Sequence, residues 1–541
     1  MRGGDRTGEG GAAMREFNTT GLCVPRKHYM VDISGRVAQM RAMVERGDYF
    51  CVNRARQYGK TTTLAALRRA LEGGFAVASL DFQALSHADF ATEGAFVGAF
   101  AREVLNKSAY GALELPKGAA EQLERLRGAR AEGLRLSDLF AALALWNRES
   151  PRPVVLIVDE VDSATNNQVF LDFLAQLRLQ YLMREDDPSF PAFRSVVLAG
   201  VTDVKHLKAK IRPGEASRVN SPWNIAADFD VDMSFSADDV AGMLADYEAD
   251  HATGMDVASV AEEVVDWTGG YPFLASRVCQ LVDRHGLGWD HAGVDAAVRE
   301  LLVERNTLFD SLIGKLEDYP ELKASLRDLL MEGREVAYNP DQEEISQLAM
   351  YGFVKSRGGR VAVANRIFET RLYNLFLSDE ELRGGRSARV GDAASLDRSL
   401  FVEGGRLNMR AVLEGFRRTY TEVYGPLEEG GRFRERDGRE LFLMYLKPII
   451  NGTGNYYVEA QTRDQTRTDV IVDYLGERFV VELKVWRGPR YNEAGERQVA
   501  GYLDHFGLDV GYMLSFNFNR RKEPGLRCVA VGDKVVWEET V

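Results

Sequence analysis

A glycine, a lysine and a threonine follow a short apolar run in the stretch YFCVNRARQYGKTTTL, residues 49–64. Gly59-Lys60-Thr61 ends a phosphate-binding loop when it follows a strand and opens a helix. Backbone N–H groups and the helix N-terminus then face the phosphates, Lys60 reaches the β- and γ-phosphate oxygens, and the Thr61 hydroxyl binds Mg²⁺. Taken alone, the tripeptide is also compatible with an ordinary helix start.

An acidic pair downstream, in the stretch VVLIVDEVD, favours the phosphate-binding interpretation. Asp159 and Glu160 are predicted at the C-terminal end of a buried strand, where Asp159 would hold Mg²⁺ through water and Glu160 would polarise the attacking water. Arg54 stands where such loops usually carry their first glycine. That glycine serves the turn, whereas the amides that hold phosphate come later, so the loop is expected to bind nucleotide while its turn geometry and its turnover rate stay open.

A second group of residues combines two carboxylates with a lysine. Asp469 begins DVIVDY, and Glu482 and Lys484 lie in FVVELKVW. Side chains alternate along a strand, so Glu482 and Lys484 are expected on the same face, and a hairpin turned at Gly476-Glu477 would bring the strand of Asp469 alongside. Such a group predicts a site for one or two Mg²⁺ ions that polarise a phosphodiester, with Lys484 orienting or activating the attacking water.

This second motif also has a plainer interpretation. An edge strand with one solvated face would expose a Glu-x-Lys pattern equally well. Asp473 competes with Asp469 because both lie on the same predicted face, but Asp473 is nearer the turn and ranks second. Arg467 is a candidate contact to phosphate or a residue in a salt bridge at the rim.

Four near-continuous apolar runs, YFCVN, FAVASLDF, PVVLIVDE and SVVLAGVT, predict strands that are buried on both faces. Helix-like segments alternate with them, which favours an α/β fold with a parallel sheet. A helical stretch follows, then two helices, a short hairpin and a closing helix that resemble a winged helix. After a small, polar, Gly-containing linker, a second α/β pattern begins. The predicted divisions are a disordered N-terminus (1–16), a P-loop core (17–225), a helical lid (226–306), a winged-helix-like segment (307–378), a linker (379–399) and the second α/β domain (400–541).

Composition narrows the class of protein. The net charge of −13 over 541 residues argues against general coating of nucleic acid and leaves room for a local basic cleft. The four cysteines are far apart, which favours free thiols over a zinc site. No apolar stretch is long enough for a membrane span, so a cytoplasmic protein without a membrane partner is predicted. The basic cluster at 517–525 is either a contact to nucleic acid or a solvated hairpin.

The stretches VNRARQYGKTTTL, LIVDEVDSA, VVLAGVTDV and WTGGYPFLASRVC resemble the bacterial AAA-like ATPases allied to the STAND group, over residues 17–376. The resemblance implies ATP binding, and it gives Arg54 and Arg56 a place in the loop of that family. The nucleotide-binding set it implies is Arg56, Gly59, Lys60, Thr61, Thr62 and Asp159. It further implies a lid helix starting at Gly270-Tyr271-Pro272 and a sensor at Thr202 or Asp203. No arginine finger is assigned, since Arg212 is better explained as a solvated loop residue.

The stretches TRTDVIVDYLGERFVVELKVW and RQVAGYLDHF resemble the PD-(D/E)XK nuclease family, in the type that is fused behind AAA-like ATPases, over residues 401–518. The resemblance implies that Asp469, Glu482 and Lys484 form the catalytic core. Gln498 and Tyr502 then match the Gln-x-x-x-Tyr of the following helix, and Glu459 or Glu440 matches an upstream acid. Thr468 replaces the proline of the motif.

Together these observations predict an ATP-binding AAA-like ATPase coupled to a Mg²⁺-dependent PD-(D/E)XK nuclease. DNA is the first choice of substrate, RNA is the second, and assembly into a homo-oligomer is left open. The alternative is a nucleotide-gated interaction or regulatory protein whose nuclease fold is not catalytic.

Overall fold

The computed structural model describes residues 15–202, 223–331, 336–382, 401–403, 406–424, 433, 435–450, 454–458, 470–519 and 522–541. The chain divides into two compact units. The first takes in Met1–Val265, Gly269–Asp290 and Ser346–Phe353. The second takes in Asp266–Thr268, His291–Ile345 and Val354–Val541. The division near Asp290 falls inside the predicted lid range 226–306, and the finer domain boundaries remain predictions.

The first unit is built around a four-stranded sheet. The strands of this unit are β1 (Glu16–Phe17), β2 (His28–Tyr29), β3 (Phe50–Asn53), β4 (Ala76–Asp81), β5 (Val154–Asp159) and β6 (Ser195–Gly200), of which the last four form the sheet. Its helices are α1 (Ser34–Arg46), α2 (Lys60–Leu71), α3 (Glu93–Ala109), α4 (Lys117–Gly128), α5 (Leu136–Glu149), α6 (Gln168–Asp186), α7 (Ala237–His251), α8 (Val257–Thr268, whose last three residues belong to the second unit) and α9 (Pro272–Arg284). The sheet order is β3-β6-β5-β4 and every neighbouring pair is parallel. The predicted parallel α/β fold is therefore confirmed.

The two faces of this sheet bury two separate cores, which explains the continuous apolar runs in its strands. Leu156 and Val158 pack on one face with helices α3 to α6. Val155 and Ile157 pack on the other face with α1 and α2. Because the four strands are parallel, their C-terminal ends meet at one edge of the sheet, beside the start of α2.

β1 and β2 lie ahead of this sheet and pair in parallel, with Glu16 opposite His28. The chain is thus in a strand at residue 16, the last residue of the segment expected to be disordered. Residues 1–14, which carry the rest of that prediction, lie outside the described part of the chain.

The second unit begins with helices and ends in a mixed sheet. Its further helices are α10 (His291–Val303), α11 (Thr307–Asp318), α12 (Pro320–Met331), α13 (Glu343–Met350, divided between the two units), α14 (Arg366–Leu382), α15 (Met409–Tyr424), α16 (Glu435–Ile450) and α17 (Pro489–Phe506). Its strands are β7 (Val354–Arg357), β8 (Arg360–Val363), β9 (Val402–Glu403), β10 (Arg406–Leu407), β11 (Gly454–Val458), β12 (Val470–Tyr474), β13 (Glu477–Val485), β14 (Val510–Phe516), β15 (Gly525–Val531) and β16 (Lys534–Thr540).

Helices α12 and α13 and the antiparallel hairpin β7–β8 precede α14 in the order expected of the winged-helix-like segment, whose assignment stays a prediction. The predicted range 307–378 also takes in α11. Helix α14 continues to Leu382, four residues into the range 379–399 that was predicted as a linker. The remainder of that range lies outside the described residues.

The six-stranded sheet of the second unit has the order β11-β12-β13-β14-β16-β15. Strands β12 and β13 form an antiparallel hairpin that turns at Leu475-Gly476, one residue earlier than predicted. β13 and β14 are parallel and are joined by α17. The last two strands were not predicted, because neither gives a continuous apolar run. The side chains of β15 are half-buried or exposed, and β16, although four of its seven residues are buried, ends in the polar residues Glu538, Glu539 and Thr540.

No helix in the described part of the chain has the length and apolar character needed to cross a bilayer.

Candidate functional site

The first site lies where β3 runs into α2. Gly59 adopts the left-handed conformation, with φ +79°, and directly precedes the helix, so the chain turns sharply before Lys60. Lys60 is only 7% exposed, and its Nζ donates to the carbonyl oxygens of Arg54 (2.9 Å) and Ala55 (3.1 Å). The lysine charge is thus held at a helix N-terminus by neutral oxygens, an arrangement that suits an anion.

Thr61 and Asp159 meet across the carboxyl edge of the sheet. The Thr61 hydroxyl donates to Asp159 Oδ2 at 2.9 Å, although the two residues are 98 positions apart in the chain. The other oxygen of Asp159 accepts the backbone N–H of Glu160 at 2.9 Å. Hydroxyl and carboxylate oxygens are the ligands that Mg²⁺ takes in proteins. The structure therefore brings together Thr61 and Asp159, the two residues that the sequence predicts as Mg²⁺ ligands at this site.

Burial shifts the pKa values of the ionisable groups at this edge. Desolvation lowers the pKa of Lys60 and raises that of Asp159. Desolvation also raises the pKa of Glu160, with the neighbouring Asp159 charge as the second cause. Glu160 has a positive φ of +55°, a backbone conformation that non-glycine residues seldom adopt and that is often found at functional sites.

Arg54 does not face the phosphate position. Its guanidinium donates to the backbone carbonyl of Val231 at 2.8 Å and lies over the Phe229 ring at 5.2 Å. The arginine that stands in place of the usual glycine therefore packs against the segment 229–231. Arg56 is exposed, and its backbone carbonyl accepts a hydrogen bond from the Tyr271 hydroxyl.

The Gly-Tyr-Pro turn before α9 thus contacts the loop directly. The Tyr271 ring packs edge-on against Tyr58, with ring centroids 4.7 Å apart. Gly270 has φ +73°, and a Cβ at this position would lie 2.2 Å from the carbonyl oxygen of Phe235. The turn accepts only glycine there, for both conformational and steric reasons.

A cavity of about 150 Å³ opens beside Gly59. Its wall includes Cys23, Ile33, Tyr58, Met243 and Phe273, most of which are apolar. Thr62 also faces it, and the Thr62 hydroxyl accepts the backbone N–H of Cys23 at 3.2 Å. Thr62, predicted to bind nucleotide, is therefore placed beside the loop and anchors the N-terminal segment.

Sequence reasoning missed Asp162. Its two carboxylate oxygens accept the backbone N–H groups of Val201 and Thr202, both at 2.7 Å, and so tie the end of β5 to the end of β6. The third acidic residue of the DEVD stretch could have suggested this role. Of the two sensor candidates, Thr202 lies at this edge and Asp203 lies outside the described residues. Arg212, which was considered as an arginine finger and not assigned, lies outside them too. Trp223 is fully buried and stacks on Tyr49, so it belongs to the core.

The second site lies on β13. Glu482 is fully buried, and Lys484 Nζ lies 2.8 Å from Glu482 Oε1, so the two side chains share one face, as the alternation predicts. All five residues from Phe479 to Leu483 are buried, which excludes the solvated edge-strand interpretation for Glu482. Asp469 lies outside the described residues, and the last described pair of the ladder is Val470 with Val481.

Helix α17 covers this face of the sheet. A Cβ on Gly495 would lie 3.3 Å from Lys484 Cγ, so the helix backbone packs directly against the lysine stem. Gln498 lies almost one turn further along the helix, and its amide nitrogen donates to the Tyr502 hydroxyl at 2.5 Å. Gln498 is thus on the helix that contacts Lys484.

Three further acids were candidates for the second site: Asp473 as the competitor of Asp469, and Glu440 and Glu459 as upstream acids. Asp473 is buried and ion-paired with Arg478 (3.1 Å), and desolvation raises its pKa. Glu440 lies on α16, and Glu459 and Arg467 lie outside the described residues. Sequence reasoning missed Glu435, whose Oε1 accepts the backbone N–H of Val485 at 3.3 Å and so reaches the end of the strand that carries Lys484.

No protein-family model matches the chain. A sequence relative, an uncharacterized WD repeat-containing protein of Synechocystis, is 23% identical over 248 residues. The match covers 42% of this chain but only 20% of that protein, so the chain spans about a fifth of the length of the relative.

Among solved structures, the Walker-type ATPase of Pyrococcus abyssi is 14% identical with a TM-score of 0.44, over 66% of this chain and 99% of that one. The ORC2 protein of Aeropyrum pernix is 14% identical with a TM-score of 0.34, over 67% and 97%. Cdc6p of Pyrobaculum aerophilum is 16% identical with a TM-score of 0.31, over 67% and 97%. Because these TM-scores are below 0.5, function is inferred below from the residues of this chain.

Proposed function

We propose that this protein is an AAA-like ATPase, allied to the STAND group, that is coupled to a Mg²⁺-dependent PD-(D/E)XK nuclease cleaving phosphodiesters of DNA, with RNA as the second choice. The ATPase part of this proposal rests on one observation, a buried lysine at a helix N-terminus beside the Thr61–Asp159 hydrogen bond. The observation that carries the nuclease half is a fully buried glutamate with a lysine two residues later on the same face of a strand.

In the first site, Lys60 would exchange its two carbonyl contacts for oxygens of the β- and γ-phosphates. Thr61 and Asp159 would hold Mg²⁺, which neutralises phosphate charge when it is bound. Glu160, at the same strand end, would accept a proton from the attacking water, and its raised pKa brings it nearer to neutral pH. The apolar cavity beside Gly59 would take the base.

The test of the ATP half compares Lys60→Ala with Arg69→Ala. Arg69 is an exposed residue on the same helix, so its loss controls for a change in helix charge. Lys60→Ala is expected to weaken Mg²⁺-ATP binding by at least about a hundredfold, since it removes a charge-assisted contact to phosphate, while Arg69→Ala binds normally. Calorimetric titration measures both affinities. Equal affinity in the two variants would refute the loop assignment.

In the second site, Glu482 and Asp469 would hold Mg²⁺, which polarises the scissile phosphodiester when it is bound. Asp469 directly precedes Val470 and Glu482 directly follows Val481, the last described pair of the ladder. We therefore expect these two carboxylates to lie opposite each other. Lys484 would orient the attacking water, and Gln498 would support Lys484 or the water from α17.

The test of the nuclease half is Mg²⁺-dependent cleavage of a panel of DNA and RNA substrates, with and without ATP. Glu482→Gln preserves shape but removes the charge, and it is expected to lower cleavage by at least about a hundredfold. Glu422→Gln, an exposed glutamate on α15 of the same unit, is the matched control. Cleavage by neither wild type nor control on any substrate would favour the nucleotide-gated interaction protein with a non-catalytic nuclease fold.

A further inference from the structure

Directly after the Glu482–Lys484 strand, the chain reads Trp-Arg-Gly-Pro-Arg-Tyr (residues 486–491), here named the WRGPRY segment. It links β13 to α17. Arg487 and Arg490 are exposed, and Tyr491 is 38% exposed, which is unusual for a large aromatic side chain. The proposed nuclease function has not used any of these side chains, and they lie within seven residues of Lys484.

The segment is fixed at both ends. The backbone N–H of Trp486 donates to the Phe516 carbonyl at 2.9 Å and continues the ladder between β13 and β14. The Tyr491 hydroxyl donates to Glu435 Oε1 at 3.1 Å, the same oxygen that accepts the Val485 N–H. One carboxylate therefore holds the strand end and the tyrosine ring together. The ring is held in place before any ligand arrives, which reduces the entropy lost on binding.

The charges around the ring favour an anion. The Arg487 guanidinium lies 5.6 Å from the centre of the Tyr491 ring, and Arg490 lies in the first turn of α17. That turn has no acidic residue and begins with Gly488 and Pro489, without a side-chain cap. The carboxylate oxygen that contacts the ring hydroxyl, Oε1 of Glu435, already accepts two donors. Aromatic rings and arginines together bind the bases and phosphates of unpaired nucleic acid.

We propose that the WRGPRY segment binds an unpaired nucleotide next to the scissile phosphodiester, with Tyr491 stacking on the base and Arg487 and Arg490 contacting flanking phosphates. This inference rests on the proposed nuclease function and specifies its substrate class as single strands or frayed ends. The physical reason is that in an intact duplex the face of each base is covered by its neighbours, so a fixed tyrosine ring has nothing to stack on. An acidic peptide would use the arginines and leave the ring without a role.

The test is binding of a fluorescent twelve-nucleotide single strand, measured by anisotropy with Ca²⁺ in place of Mg²⁺, against a hairpin duplex of the same sequence. Tyr491→Ala is expected to weaken single-strand binding about tenfold, the size of one lost base stack. Tyr491→Phe keeps the ring and is expected to stay within about twofold. Tyr110→Ala removes a tyrosine that is 84% exposed in the other unit and should not alter binding.

The arginines are tested through salt. The double variant Arg487→Ala/Arg490→Ala is expected to lower the slope of log affinity against log salt by about 1.4, because each phosphate contact to a single strand contributes about 0.7. An unchanged slope would exclude phosphate contacts at this segment. A poly-glutamate peptide that competes with the oligonucleotide equally in wild type and Tyr491→Ala would also overturn the proposal in favour of an acidic peptide.

Failure of this inference and failure of the nuclease proposal give different results. Single-strand binding that depends on Tyr491, without cleavage of any substrate, supports the segment and rejects the nuclease. Cleavage that depends on Glu482, with equal use of duplex and single strand and no effect of Tyr491→Ala, supports the nuclease and overturns the inference. Thermal melting of each variant excludes loss of fold as the cause.

Discussion

Lys60 and Lys484 are both largely buried and both lie near acidic residues, but their direct partners differ. Lys60 donates to two neutral carbonyls, and the nearby Asp159 bonds to Thr61 instead. Lys484 is paired directly with the Glu482 carboxylate at 2.8 Å. The first lysine therefore keeps its charge for an anion, whereas the second is already balanced, and its site gains a net negative charge only with a further acid. Two largely buried lysines can thus differ in their partners, one held by neutral carbonyl oxygens and the other by a carboxylate.

The largest effect is expected at the strand end of the first site. Glu160→Gln should leave Mg²⁺-ATP affinity within about threefold and reduce hydrolysis by a factor of about 10²–10³, because the amide cannot accept the proton of the attacking water. Steady-state phosphate release measures this, with Glu72→Gln, an exposed glutamate after α2, as the control. Normal hydrolysis by Glu160→Gln would remove the acid from the mechanism and leave a binding-only site.

A second prediction concerns the backbone that supports the nucleotide site. Gly270→Ala should destabilise the protein by about 2–4 kcal/mol, because its positive φ and the close Phe235 carbonyl both oppose a side chain. Gly98→Ala, in the middle of α3 with open space around it, should stabilise by about 0.5–1 kcal/mol. Urea unfolding of the two variants measures the contrast. Equal stability would mean that the Gly-Tyr-Pro turn can move away from the loop.

The comparison of the two lysines is sharpened by a third prediction. Lys484→Gln should increase the affinity of the second site for Ca²⁺ about tenfold, because it removes a positive charge next to Glu482, while Lys60→Gln should leave this affinity unchanged. Calorimetric titration with Ca²⁺ in the absence of nucleotide measures both. A decrease in Lys484→Gln would indicate that the lysine holds Glu482 in place and does not compete with the cation.

The smallest expected effect is a pH dependence on the opposite face of the second sheet. Glu539 is buried beside Arg417 (2.6 Å), and desolvation raises its pKa to about 7. The folded state then binds more protons than the unfolded state between about pH 4.5 and 7, so stability falls as pH rises through this window.

Glu539→Gln cannot ionise and should lose that slope. Its stability relative to wild type should therefore increase by at least about 1 kcal/mol between pH 5 and pH 8. Urea unfolding at the two pH values measures the change. A constant difference would mean that Arg417 compensates fully for burial.

Local pattern was enough for much of the scaffold. The four apolar runs predicted β3 to β6 because strands covered on both faces need apolar side chains throughout. Strand alternation alone predicts Glu482 and Lys484 on one face, and the structure confirms it. The last two strands were not predicted for two reasons. β15 is a half-exposed edge strand, which leaves a weak signal, and β16 lies inside the sheet but carries the buried polar residues Glu538 and Glu539 in place of apolar ones.

Contacts between distant parts of the chain could not be read in this way. Asp162 reaches Val201 and Thr202, and Glu435 reaches Val485 and Tyr491 across about fifty residues. The segment before α1 likewise lines the cavity together with residues that are distant in the chain. Such contacts follow from how strands and helices pack, and a single sequence carries no periodic mark of them.

By itself the sequence determined the parallel α/β core, the glycine-lysine turn and the spacing of Glu482 and Lys484, since each depends on neighbours in the chain or on strand alternation. Only the tertiary structure decided that Thr61 meets Asp159, that Arg54 is absorbed by packing, and that Tyr491 stands exposed and fixed beside the second site. The physical reason is that local backbone geometry acts over a few residues, whereas burial and charge pairing are set by whatever the fold brings together.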